Sequence, residues 1–202
     1  MGLSDIRASD SLDRARPNRS SSIVWRRTDK AGHEFANLAE RDDGARLSGV
    51  AVLSERGAPC RVRYMIDVDP EWRTISCVLT GQIGDKAVEI EIKREGETWT
   101  ANGVEISGVA GCEDIDLGFS PATNLLPIRR LGLKVGQKAS VRAAWVHFPE
   151  LTVQLLEQKY SRLADDKYRY ESGNGSFRRE LKVDEKGFVL EYPDLWYAES
   201  RT

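Results

Sequence analysis

The sequence predicts an all-β protein built from long antiparallel strands. Two features favour this fold class. Apolar and polar residues alternate with a period of two through most of the chain, and short turns rich in Gly, Asp, Asn and Pro separate the alternating runs. No window carries a sustained apolar period of about 3.6 residues, so we expect no helix longer than about three turns. A chain of 202 residues is long enough for one such domain.

About eight strands are predicted before residue 110. The clearest covers residues 88–93, where one face is apolar and the other is charged. The others cover residues 23–27, 34–40, 45–53, 61–68, 72–79, the region around 99, and 104–106. Because the connections are short, as at Asp42-Asp43-Gly44, we expect consecutive strands to pair as antiparallel neighbours.

The alternation stops at residues 111–136 and then resumes. Further strands are predicted at residues 139–148, 151–163, 168–170, 177–183 and 188–192. Within the irregular segment, residues 124–131 are compatible with one short helical turn. We therefore predict a single β domain at residues 23–197, with strand-rich halves of about 23–110 and 137–197 joined by residues 111–136. Residues 1–22 are polar and rich in Arg and Ser, and we expect them to form a flexible arm.

The charge balance limits the possible partners. The 30 basic and 32 acidic side chains give a formal net charge of −2, and this balance argues against a nucleic-acid partner. No stretch approaches the roughly 20 apolar residues of a transmembrane segment, and residues 1–22 lack the apolar core of a secretory signal. We therefore expect a cytoplasmic protein, and no sequence feature fixes its oligomeric state.

The three cysteines and two histidines are too dispersed to predict a metal site. Cys60, Cys77 and Cys112 contain no C-x-x-C pair and are interpreted as free thiols. His33 and His147 are far from each other and from any cysteine. Since no nucleotide-binding glycine pattern is present either, we expect neither a metal nor a cofactor.

The irregular segment carries the most specific chemistry in the chain. It contains two prolines, which fix the backbone path, and acidic residues followed by a double arginine. We predict that one of the acids, Asp114 or Asp116, pairs with Arg129 or Arg130 and fixes the link between the two sets of strands. The alternative is that an arginine binds an anionic head group, because a guanidinium matches phosphate and carboxylate. On a strand the two arginines would face opposite sides, so only one would reach a cavity.

This segment also carries a resemblance to a known family. The stretches D-I-D-L and S-P-A-T-N-L-L-P-I-R-R-L resemble the signature of the bacterial putative glycolipid-binding proteins, formerly a domain of unknown function. The stretches E-Q-K-Y, Y-R-Y and V-D-E-K-G-F-V-L-E-Y-P fit the same family, so the resemblance covers roughly residues 23–196. The family is similar in fold to periplasmic carriers that move lipoproteins to the outer membrane. The resemblance therefore implies a half-open barrel or strongly curved sheet with an apolar cavity for a lipid or glycolipid, and it suggests two related half-barrels.

Six residues are candidates for contact with such a ligand. Trp145 follows two small alanines, which would leave room beside its ring on a concave face. Trp25 and Tyr160 are further aromatic candidates for lining the cavity, although aromatic residues also fill cores. Asn124 is a candidate for hydrogen bonds to a sugar, and Arg129 and Arg130 are candidates for an anionic head group.

A catalytic role is less favoured by the sequence. Glu113, Asp114 and Asp116 resemble the paired carboxylates of a glycoside hydrolase, but the arginines that follow would neutralise them. No nucleophile-elbow motif is present. We therefore expect a non-enzymatic binding protein. The alternatives are a hydrolase acting on a lipid or sugar in the same cavity, and an interaction module whose cavity is filled by its own side chains.

Overall fold

The computed structural model describes residues 19–202, and β-strands make up most of this range. The strands of the first half are β1 (Arg19–Arg27), β2 (Gly32–Arg41), β3 (Gly44–Glu55), β4 (Ala58–Val68), β5 (Thr74–Ile83), β6 (Lys86–Glu95), β7 (Thr98–Ala101) and β8 (Val104–Glu105). The strands of the second half are β9 (Asp114–Leu117), β10 (Lys138–Val146), β11 (Val153–Ala164), β12 (Lys167–Ser172), β13 (Phe177–Val183), β14 (Val189–Tyr192) and β15 (Trp196–Arg201). Helix in the described range consists of α1 (Leu125–Leu131) and 3₁₀ turns at Ser107–Val109, Ala122–Asn124 and Gly173–Gly175. The prediction of an all-β fold with one short helical turn is confirmed.

All fifteen strands belong to one strongly curved sheet that is not closed into a barrel. Their order across the sheet is β8-β7-β6-β5-β4-β3-β2-β1-β15-β14-β13-β12-β11-β10-β9. Neighbouring strands are antiparallel, except that β9 runs parallel to β10. The two halves therefore meet in the sheet through the pairing of β1 with β15. Residues 111–136 connect the two halves along the chain and also contact the first half directly, through hydrogen bonds to Thr74, Glu34 and Glu40.

Alternation along each strand explains which side of the sheet is buried. In β4, Cys60, Val62 and Tyr64 are buried, whereas the intervening Arg61 and Arg63 are exposed. The same period of two places the buried residues of β2, β3 and β5 on the same side. We refer to this side of β2–β5 as the buried side and to the opposite one as the outer side.

Residues 111–136 bring the β9 edge of the sheet back to its first half. The backbone N–H of Ile115 donates to Oγ1 of Thr74 at 3.1 Å, and the N–H of Thr74 donates to the carbonyl of Glu113 at 2.9 Å. Phe119, Leu125 and Leu126 from the same segment are buried in the core. The segment predicted to be irregular thus contains β9 and α1 and packs as part of the core.

Both ends of the domain extend beyond the predicted bounds. Residues 19–22, which the sequence assigned to the arm, are the first four residues of β1. They pair with residues 37–40 of β2, and the side-chain amide of Asn37 also donates to the hydroxyls of Ser20 and Ser22 at 2.6 and 2.9 Å. At the other end β15 continues to Arg201, past the expected end at residue 197. The rest of the predicted arm, residues 1–18, lies outside the described residues.

Candidate functional site

An apolar depression lies on the outer side of β2–β5. Its volume is about 500 Å³, and we call it the outer depression. Its apolar side chains are Phe35, Val50, Met65 and Val78. The remaining lining residues are Ser48, Gly49, Arg63, Tyr64 and Thr80. Phe35 remains 44% exposed, which is unusual for a phenylalanine on a sheet and marks this surface as a place where apolar area is available to a ligand.

The register of four strands brings these residues together. Phe35 lies opposite Val50, Val50 opposite Arg63, and Arg63 opposite Thr80, so these four form one row across β2–β5. In the adjacent row, Ser48 lies opposite Met65 and Met65 opposite Val78. The small side chains of Ser48 and Thr80 stand beside the large ones of Phe35 and Met65. This alternation of size leaves the hollow.

The buried side of the same strands carries an ionisable group. Glu34 of β2 is 1% exposed, and its Oε1 accepts hydrogen bonds from the hydroxyls of Tyr64 and Ser120, each at 2.6 Å. Ser120 lies between β9 and α1, so Glu34 connects that segment to β2 and β4. Burial raises the pKa of Glu34 from its ordinary value to about 8, against the two hydrogen bonds and the charge of Arg27. The carboxyl group is therefore mainly protonated at neutral pH.

Two buried polar atoms in this region have no hydrogen-bond partner among the described residues: Oε2 of Glu34 and Nη1 of Arg27. The other guanidinium nitrogens of Arg27 donate to the carboxylate of Asp29 at 2.7 and 3.1 Å. Both hydroxyl groups near Glu34 are directed to the same oxygen, Oε1. These hydrogen bonds therefore join β2, β4 and the segment after β9 at one oxygen atom.

Tyr64 reaches Glu34 by passing over a glycine. Gly49 lies opposite Tyr64 in the register of β3 and β4. A Cβ atom at Gly49 would lie 2.4 Å from the Tyr64 hydroxyl and 2.5 Å from the carbonyl oxygen of Phe35. Such separations are too short for any side chain. Glycine is therefore required here for the Tyr64–Glu34 hydrogen bond.

The arginine–acid pairing expected in residues 111–131 is present and involves Arg130. Its guanidinium contacts both carboxylate oxygens of Asp114, the shortest contact being 2.6 Å, and it reaches Glu113 at 2.8 Å. Asp116 instead accepts from the side-chain amide of Gln158 at 2.6 Å, and burial raises its pKa to about 6. The guanidinium group of Arg130 is thus paired with Asp114 and Glu113.

Arg129 and Arg130 both lie on α1 and not on a strand, and Arg129 has a different set of partners. Its guanidinium contacts Glu40 at 2.8 Å and the carbonyl of Lys186 at 3.3 Å. It also stacks on the ring of Trp72, 4.3 Å from the ring centroid. These contacts fix α1 against the end of β2 and the turn before β14.

The structure brings two of the other candidates together and places three of them in the core. Tyr160 donates its hydroxyl hydrogen bond to Asn124 at 2.9 Å, and both residues are buried. Trp25 is also fully buried, and its indole N–H donates to the carbonyl of Val189 at 2.6 Å. Trp145 is partly exposed and packs against His147, with ring centroids 4.6 Å apart. The polar atoms of Trp25, Asn124 and Tyr160 are therefore already used within the protein.

The comparison with protein families identifies the chain. A family model described as putative glycolipid-binding matches residues 22–198. The chain belongs to this family. A solved structure of a DUF1089 family protein from Pseudomonas aeruginosa is similar to it, with 29% identity and a TM-score of 0.68, over 96% of this chain and 99% of that one. The search of curated proteins found no match.

Two further properties of the described residues concern metal-binding groups and membrane-spanning helices. Within residues 19–202, no group of three or more His, Cys, Asp or Glu side chains is arranged to hold a metal ion. In the same range no helix is long and apolar enough to cross a membrane. Cys60, Cys77 and Cys112 are buried free thiols, as expected from their spacing.

Sequence reasoning missed the outer depression and the buried Glu34. A signal for the depression is present in β3, where Val50 and Val52 extend apolar character to the outer side while Ala51 and Leu53 occupy the buried side. A strand with apolar residues on both sides, next to the exposed Phe35 of β2, predicts that the outer surface of the sheet is partly apolar. The burial of Glu34 has no such local signal.

Proposed function

We propose that this protein binds a lipid-like or glycolipid ligand without catalysing a reaction on it, and that the apolar part of the ligand lies in the outer depression. The observation that carries this proposal is the apolar surface formed by the exposed Phe35 and the half-buried Val50, Met65 and Val78. A volume of about 500 Å³ with few polar groups at its edge fits the usual properties of small-molecule sites. The family description points to the same class of ligand.

The location differs from the one implied by the sequence. The six candidate residues were expected to line a cavity inside the curved sheet. Trp25, Tyr160 and Asn124 are packed in the core with their polar atoms bonded, and Arg130 is held by two acids. Apolar surface is available on the outer side of β2–β5, so we assign the ligand to that side.

The charged groups support a non-enzymatic role. Glu113 and Asp114 are paired with Arg130, and paired carboxylates are poor general acids. The pKa of Glu34 is raised, but its side chain is buried and hydrogen-bonded to Tyr64 and Ser120. The three free thiols are also in keeping with the cytoplasmic location that we propose, because reducing compartments keep thiols unpaired.

The proposal is tested by titrating the protein with Nile red, a neutral apolar dye, and comparing two lysine variants. Met65→Lys places a charge in the outer depression, whereas Val104→Lys places one on an apolar residue of β8 that is 70% exposed. We expect saturable binding by the parent protein, binding weakened about tenfold or more in Met65→Lys because the charge loses water on burial, and unchanged binding in Val104→Lys. Absence of binding by the parent, or equal binding by all three proteins at matched thermal stability, would contradict the proposal.

A further inference from the structure

The outer depression has a cationic edge. Among its nine lining residues, Arg63 is the charged one. Arg61 lies two residues earlier on the same side of β4, so the two guanidinium groups emerge about 7 Å apart. Both side chains are exposed, and neither has an ion pair or hydrogen bond with any described residue.

The neighbours of these two arginines explain why they are unpaired. Arg63 lies between Val50 on β3 and Thr80 on β5, and Arg61 lies between Val52 and Gln82. All four neighbours are neutral. Other outer-side arginines of this half have partners: Arg46 binds Asp67 at 2.8 Å and Arg26 binds Glu199 at 3.0 Å. Arg61 and Arg63 therefore differ from these arginines in having no acidic partner among residues 19–202.

Acidic residues border the opposite edge of the depression. Glu91 on β6 lies opposite Val78, and it is paired with Lys93 at 2.9 Å. Glu89 lies opposite Thr80, which places it two strands away from Arg63, or about 9.5 Å. The arginines of β4 and the carboxylates of β6 thus lie on opposite sides of the apolar side chains.

We propose that the ligand is a single amphiphile with an anionic head group, a phosphate or a carboxylate, held by Arg61 and Arg63 while its chain covers Phe35, Val50, Met65 and Val78. This proposal rests on the proposed function and specifies the ligand class of the same site. The exposed Val52, 57% accessible, lies opposite Arg61 and continues the apolar surface up to the head-group position. Guanidinium groups bind phosphate and carboxylate oxygens through paired N–H donors.

The test compares two amphiphiles that have the same dodecyl chain, dodecyl phosphate and dodecyl maltoside. Both are added below their micelle-forming concentrations at low salt, and their binding is followed by displacement of Nile red. We expect dodecyl phosphate to bind the parent protein about tenfold more tightly than the neutral maltoside. The preference should shrink as salt is raised, because ionic screening weakens exposed charge pairs.

The double variant Arg61→Gln, Arg63→Gln should bind both amphiphiles equally, at the level of the maltoside. Arg178→Gln is the matched control, since it removes an exposed arginine on β13 far from the depression. Equal binding of the two probes by the parent would contradict the anionic head group, and so would a phosphate preference that persists in the double variant. Neither result would contradict the proposal that the outer depression binds an apolar chain. Failure of both probes to bind the parent protein would show that the outer depression is not a ligand site. Binding of anionic vesicles without binding of the monomeric phosphate would also overturn the inference.

Discussion

Glu34 and Phe35 are consecutive residues of β2 whose side chains point to opposite sides of the sheet. Glu34 is 1% exposed and bonded to Tyr64 and Ser120, whereas Phe35 is 44% exposed and lines the outer depression. One strand therefore contributes both to the attachment of the segment after β9 and to the proposed binding surface. Because the two functions are on opposite sides, substitutions can test them separately.

Glu34 should make the stability of the protein depend on pH. Its pKa is about 8 in the folded state, against 4.5 for an ordinary glutamate. Between these values the folded protein keeps a proton that the unfolded chain has lost, so the stabilisation is complete at low pH and declines as the pH rises towards 8. The free energy of unfolding should fall by about 3 kcal/mol more in the parent than in Glu34→Gln between about pH 5 and about pH 8. Urea denaturation across this range measures the difference, and parallel pH profiles for the two proteins would show that Glu34 does not titrate as described.

Gly49 should not tolerate a methyl group. Gly49→Ala would bring the new Cβ against the Tyr64 hydroxyl and the Phe35 carbonyl, and relieving the contact would break the hydrogen bond to Glu34. We expect a loss of about 3 kcal/mol from overpacking and the displaced hydroxyl. Gly108→Ala is the control, since a Cβ there meets no atom within 4 Å, and its effect should be near zero. Thermal unfolding of both variants decides the matter, and similar melting temperatures for the two would argue against the Tyr64 geometry.

The Asp114–Arg130 pair should contribute more to stability than the neighbouring Glu113 contact. The Asp114 side chain is 1% exposed and that of Arg130 is 15% exposed, whereas Glu113 is 38% exposed. Asp114→Ala leaves a largely buried guanidinium short of its main partner and should cost about 3 kcal/mol. Glu113→Ala should cost less than about 1 kcal/mol because the pair is open to solvent. Chemical denaturation of the two variants is the measurement, and equal losses would mean that Arg130 is sufficiently hydrated without Asp114.

The strands could be predicted because burial on one side imposes a period of two on the sequence. The strand expected at residues 61–68, for example, is β4 (Ala58–Val68). Strand β9 was missed because it is four residues long and carries two acids, both of which have partners that are distant in sequence. Strand β15 was missed in a stretch of mixed aromatic and charged residues.

The candidate site was harder to predict than the fold because it depends on the register between strands. Phe35, Val50, Met65 and Val78 come together only when four strands are aligned, and local sequence does not specify that alignment. Both sides of β2 carry apolar residues. From the sequence, the aromatic ring of Phe35 favours burial of the side that contains it. The structure instead buries Glu34 with Ala36 and Leu38, since Tyr64 and Ser120 supply the hydrogen bonds that a buried carboxyl needs.

The most direct test of the outer depression as a ligand site is native mass spectrometry of the protein purified from its own host. The parent protein and Val104→Lys should both carry an added mass that organic extraction removes and that fragmentation identifies as a lipid or glycolipid. Met65→Lys, folded to the same melting temperature, should appear at its bare mass because the lysine occupies the position of the acyl chain. A parent protein that shows only its bare mass and takes up no added amphiphile, or an equal load on Met65→Lys, would contradict the account.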